Sequence, residues 1–169
     1  MTDPNQRLGR SMIYASWLLV LGLLTWFFSS LLDKQYNPNQ NLPTQTNQGQ
    51  KVILQRNDNG HYIATGTINN KSVTFLLDTG ATLVSIPGHL TRHLDLEQGI
   101  AVGMNTANGT ITTYSTKLNR VQLGPIELQS IRAIINPHTQ ANEVLLGMSF
   151  LKHLEFTQQG DTLILRQHP

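Results

Sequence analysis

Across residues 51–169, short apolar stretches recur between turns rich in Gly, Asn and Pro: 52–54, 62–68, 73–77, 83–86, 111–118, 121–123, 131–135 and 163–165. Runs this short suit strands better than helices, and their spacing predicts an all-β sandwich or barrel. Two stretches invite short helices, 87–94 and 149–154; in the second, Ser149 is placed to cap and Phe150, Leu151 and Leu154 fall on one face. Asn69 and Asn70 lie between two strand-like runs, and Asn108 and Gly109 lie inside the polar stretch 105–113. Both pairs suit the positive φ of tight hairpin turns. The second hairpin has few bulky residues to pin its tip, so it reads as an exposed hairpin or as a lid. No internal repeat divides the region.

The N-terminal part follows a different pattern. Residues 11–32 carry no charge, and at about 1.5 Å per residue they are long enough to cross a hydrocarbon core of roughly 30 Å. They predict an uncleaved transmembrane helix. A cleaved signal peptide is the competing reading, but it needs a shorter apolar run and a small-residue cleavage site, which Phe27, Phe28, Leu31 and Leu32 do not supply. Arg7 and Arg10 precede the run, so the positive-inside tendency puts residues 1–10 in the cytoplasm and the remainder outside it, most simply in the periplasm of a bacterium. Residues 33–50 are rich in Asn and Gln, contain two prolines and have little to bury. They predict a disordered tether of about 25 Å mean reach, about 60 Å when stretched. Residues 51–169 are then the folded domain.

Composition narrows the chemistry. The net charge is +2 with 13% charged residues, and the basic side chains are scattered without runs, which argues against nucleic acid as a partner. Cysteine is absent, so thiolate nucleophiles, disulfides and Cys-type zinc sites are not available. One domain of this length is too short for two fused cores of roughly 150 residues each.

The candidate chemistry centres on Asp78. Residues 75–86 read FLLDTGATLVSI: an acid ends an apolar run, enters a turn-prone Thr79, Gly80 and Ala81, and is followed by a second apolar run. Asp-Thr-Gly is also an ordinary turn, because Asp accepts backbone N–H bonds and Gly tolerates positive φ. The apolar flanks separate this case from most turns, since an acid placed at the edge of a core without purpose is costly. Further on, Leu145, Leu146 and Gly147 precede the helix-like 149–154.

These residues together resemble the active-site motif of aspartic proteases. The single copy resembles the retropepsin-like members, which build one site from two identical subunits, and the chain looks closest to membrane-anchored bacterial single-domain members. The resemblance covers about residues 62–165. It implies a closed retropepsin-like β-barrel in which Asp78 is the catalytic carboxylate. Thr79 braces the two loops across a dimer axis, Gly80 leaves room for a water, and Ala81 supports the turn. Leu145, Leu146 and Gly147 would form a ψ-shaped support beside the catalytic loop. Thr106, Ala107, Asn108, Gly109, Thr110 and Ile111 would be the substrate-covering flap. The implied activity is a homodimeric aspartic endopeptidase acting on protein or peptide substrates, with water as nucleophile and without metal or organic cofactor.

Other readings differ in class. His89, His93 and Glu97 are spaced to align on a helix, but Leu90 stands where a metalloprotease helix carries its Glu. A catalytically silent barrel that binds an envelope protein would keep the fold without needing Asp78, Thr79 and Gly80. A sugar-binding β domain is disfavoured because both tryptophans, Trp17 and Trp26, lie in the apolar run.

Overall fold

The computed structural model describes residues 4–44, 50–106 and 109–167. The chain divides into two compact units, Met1–Tyr36 and Asn37–Pro169.

The described residues of the first unit form one helix, α1 (Pro4–Tyr36). Its segment Met12–Tyr36 is long and apolar enough to cross a membrane. Two hydroxyls within it donate to their own helix, Ser16 to the Ile13 carbonyl and Thr25 to that of Leu21, both at 2.8 Å. Such back-bonding satisfies them without water. The helix passes the expected end at residue 32 and takes in Asp33 and Lys34. No residue there breaks it until Pro38, which disfavours helical geometry at Asn37.

Among its described residues the second unit has ten strands: β1 (Lys51–Gln55), β2 (Ile63–Ile68), β3 (Lys71–Leu77), β4 (Val84–Pro87), β5 (Ala101–Thr106), β6 (Gly109–Leu123), β7 (Ile126–Asn136), β8 (Val144–Leu146), β9 (Leu154–Gln159) and β10 (Thr162–Gln167). β1, β10 and β9 form an antiparallel three-stranded sheet. The larger sheet runs β2-β3-β8-β4-β7-β6-β5. A further pairing of β2 with β6, at Thr67 opposite Gln122 and Ile68 opposite Val121, closes it. The result is a barrel of six strands with β5 outside it, which bears out the all-β, closed-barrel expectation. Phe75, Ile86, Leu118, Val121, Ile126, Leu146 and Phe150 are fully buried in its core.

The first hairpin turn is as expected, with Asn69 and Asn70 at φ 50° and 67°. The runs 111–118 and 121–123 are one strand, β6, whose ladder with β7 continues past the polar Asn119 and Arg120. The helix expected over 149–154 is shorter: α2 spans Met148–Leu151, and Leu154 opens β9. Only that first residue of β9 is buried, so its strand state comes from pairing with β10 and leaves little trace in its apolar pattern. The short helix expected at 87–94 is a 3₁₀ turn over Gly88–Leu90.

The expected tether over 33–50 needs the largest correction. Its first residues belong to α1, and residues 37–44 lie on the domain, with Asn37 and Asn39 buried. Asn39 forms a parallel bridge with Ala64 of β2. Asn has little apolar surface to bury, but it can satisfy backbone groups at a sheet edge, as Asn39 does here.

Candidate active site

β3 delivers Asp78 to the surface at its C-terminal end. The Leu77 N–H donates to the Tyr62 carbonyl at 3.0 Å, and the Asp78 N–H donates to the Leu146 carbonyl at 3.3 Å. The acid is therefore fixed on both flanks while its side chain stays half-buried. The turn then folds back onto it: the Gly80 N–H donates to Asp78 Oδ1 at 2.8 Å, and the Ala81 N–H to the Asp78 carbonyl at 3.3 Å. A Cβ on Gly80 would lie 3.1 Å from Oδ1, so glycine lets the turn close on the carboxylate. Thr79 and Gly80 are exposed beside it.

The support beneath the turn is β8. It lies between β3 and β4, parallel to the first with Leu76 opposite Leu145 and Leu77 opposite Leu146, and antiparallel to the second at Ser85 and Leu145. Gly147 follows directly, and any Cβ there would run into the carbonyl oxygens of Leu83 and Ala81. With no side chain in the way, α2 comes close enough for its amides to hold the turn: the Met148 N–H donates to the Ala81 carbonyl at 2.7 Å and the Ser149 N–H to that of Thr82 at 3.0 Å. Ser149 does not cap α2. The N-cap is Gly147, with no side-chain bond, and the Ser149 hydroxyl instead accepts the buried Val84 N–H at 2.9 Å.

Of the flap residues, Thr106 ends β5 and Gly109, Thr110 and Ile111 open β6, with Thr106 paired to Gly109; Ala107 and Asn108 lie outside the described residues. Thr110 Oγ1 donates across the hairpin to Asn105 Oδ1 at 2.8 Å, and both residues are exposed. His89 and His93 sit on the 3₁₀ turn and the turns after it, with Asp95 at φ 51°, so the helical alignment with Glu97 does not form. No group of three metal-ligating side chains occurs among the described residues. Several other acids are engaged at the surface: Asp95 with Lys71 at 2.6 Å, Glu127 with Arg120 at 3.0 Å, and Asp161 with Arg56 at 3.6 Å.

Thr79 also borders a cavity of about 360 Å³, walled by Tyr62, Leu77, Leu151, Phe156, Leu163 and Leu165. Phe156 is 49% exposed, and the buried Tyr62 hydroxyl has no partner among the described residues. The sequence did not single out this apolar wall, because its residues come from β3, α2, β9, β10 and the residue before β2, and meet only in the fold.

Residues 64–153 match the family model described as "gag-polyprotein putative aspartyl protease". A protein encoded in the cobV 5′ region of Sinorhizobium sp is 34% identical over 121 residues, which is 69% of this chain and 52% of that protein. Protein 7 of soybean chlorotic mottle virus is 30% identical over 113 residues, covering 64% of this chain and 74% of that one. The chain thus spans about half the length of the first relative and about three quarters of the second. Among solved structures, a retropepsin-like aspartic protease from Rickettsia conorii superposes with a TM-score of 0.57 at 27% identity, over 68% of this chain and 87% of that one.

Proposed function

The chain belongs to the gag-polyprotein aspartyl protease family, retropepsin-like in fold, and from that premise we propose that it is a membrane-anchored aspartic endopeptidase whose site is completed by a second copy of the same chain. The observation that carries this reading is the Asp78 turn, clamped by Gly147 and α2 from below while Thr79 and Gly80 stay open to solvent. A single chain offers one such turn. A two-fold dimer brings two together, and residues on the axis meet their own copies.

In that arrangement two Asp78 carboxylates about 3 Å apart share one proton, as in the known aspartic-protease dyads. The ionised carboxylate takes a proton from a water whose oxygen bonds to the peptide carbonyl carbon, and the protonated one gives its proton to the carbonyl oxygen. A second transfer delivers a proton to the amide nitrogen. The C–N bond then breaks, releasing an amine and a carboxylic acid, and the dyad regains its single proton. Thr79 braces the two turns, Ala81 holds the strand exit, and the β5–β6 hairpin, including Thr106 to Ile111, covers an extended substrate whose backbone pairs with the site. Met12–Tyr36 anchors the protein, with Arg7 and Arg10 on the cytoplasmic side and the barrel in the periplasm.

Asp78→Asn keeps the side chain's shape and removes proton exchange. Cleavage of an unfolded protein by the full chain in vesicles, read by mass spectrometry, should fall by about 10²–10⁴-fold or more with the circular dichroism unchanged. Cleavage that survives in Asp78→Asn would falsify the aspartic mechanism. A chelator should leave the rate unchanged.

A further inference from the structure

The segment expected to be a free tether is tightly bonded to the domain. Asn39 is 5% exposed, and its polar groups are engaged. Its Nδ2 donates to the carbonyls of Gln55 at 2.9 Å and Ile63 at 2.7 Å, and its Oδ1 accepts the Gln55 N–H at 2.7 Å. Its backbone N–H donates to Asn37 Oδ1 at 3.0 Å, and its carbonyl accepts the Thr65 N–H at 3.1 Å. Asn37 Nδ2 in turn donates to Thr65 Oγ1 at 3.0 Å, and Leu42 packs on the core. Undocking would leave the facing groups of β1 and β2 without these partners, which is unfavourable for groups this buried.

Asn39 ties the last residue of β1 to the first of β2, and Ile63 follows Tyr62, whose carbonyl takes the N–H of the residue before Asp78. α1 ends at Tyr36, and the three peptide steps from there to Asn39 span at most about 11 Å, against about 60 Å for the stretched tether the composition predicts.

We propose that residues 37–43 are a juxtamembrane strap that confines the active site to the membrane surface, so that its substrates are extended peptide segments adjoining the spans of other membrane proteins. This rests on the membrane-anchored protease reading. A strap that only stabilised the fold would place no limit on where substrate is cut.

The test uses the full chain in phosphatidylcholine vesicles in three forms: unchanged, with a flexible Gly-Ser insert of about 20 residues between Tyr36 and Asn37, and Asn39→Ala. Because the chain has no cysteine, Asp58→Cys in the exposed turn after β1 carries a single fluorophore, and energy transfer to acceptor-labelled lipid reads the height of the domain. A second readout maps cuts by mass spectrometry along an unfolded juxtamembrane segment of about 60 residues that repeats one cleavable sequence and is attached to a membrane span. The unchanged chain should show strong transfer and cut the repeats nearest the span. The insert, which keeps the strap docked, should lower transfer at least about twofold and spread cuts outward, with Asn39→Ala shifting both in the same direction. Equal transfer in the unchanged and insert forms, or cut positions that the insert does not move, overturns the strap. If transfer follows tether length but no form cuts any repeat, the strap stands, whereas the substrate claim falls together with the protease reading.

Discussion

Asp78 is held by a very short circuit: its own Oδ1 takes the N–H two residues on, and its carbonyl takes the N–H of Ala81, three residues on. That locality is why the acid could be picked out in the sequence. An apolar run, an acid and a glycine within a few positions already specify a carboxylate at a strand end. Gly147 is different, because what it avoids lies more than sixty residues earlier, at Ala81 and Leu83; only the resemblance marked it. Gly147→Ala puts a methyl group against two backbone carbonyls that cannot swing away. Forcing them apart should cost about 1–3 kcal/mol, as overpacking generally does, read as a lower urea midpoint for residues 37–169. Because those carbonyls belong to the turn after Asp78, cleavage should fall further than the unfolded fraction alone accounts for. A Gly147→Ala protein of unchanged stability would mean that the turn and α2 are not in close contact.

At the scale of elements, the strands that could be read from the sequence are those with one face in the core, such as β3, whose Val73 and Phe75 are buried in alternation. β5 and β9 could not be read because their neighbours, rather than their own apolar residues, make them strands. The strap was hidden for a related reason, since a polar stretch that pairs with a sheet edge has the same composition as one that pairs with water. Ser149 shows how a local rule misleads. A serine at the start of a short apolar run looks like a cap, yet its hydroxyl serves Val84 on another strand. Ser149→Ala should therefore act on the junction of β4 and α2 rather than on helix initiation. It leaves the buried Val84 N–H without this partner, at about 1–3 kcal/mol. A helix cap would be restored by Ser149→Asp. Here that variant should be less stable than Ser149→Ala, because it brings a charge into a buried position, and rescue of thermal stability by Asp would return Ser149 to a capping role.

The whole molecule adds association, which dilution tests. A soluble form should begin at Asn37 rather than at Lys51, because the shorter form lacks the bonds that Asn37 and Asn39 make to β1 and β2. If each chain supplies half the site, the specific activity of residues 37–169 must fall on dilution as dimers separate. The full chain in vesicles should stay active where the soluble form is silent, since chains confined to one membrane on a short leash meet at a high effective concentration. The quantity to follow is activity per chain alongside sedimentation of the same samples. Activity that stays flat while sedimentation shows dimers becoming monomers would mean that one chain holds a complete site, and the shared pair of Asp78 carboxylates would have to be abandoned.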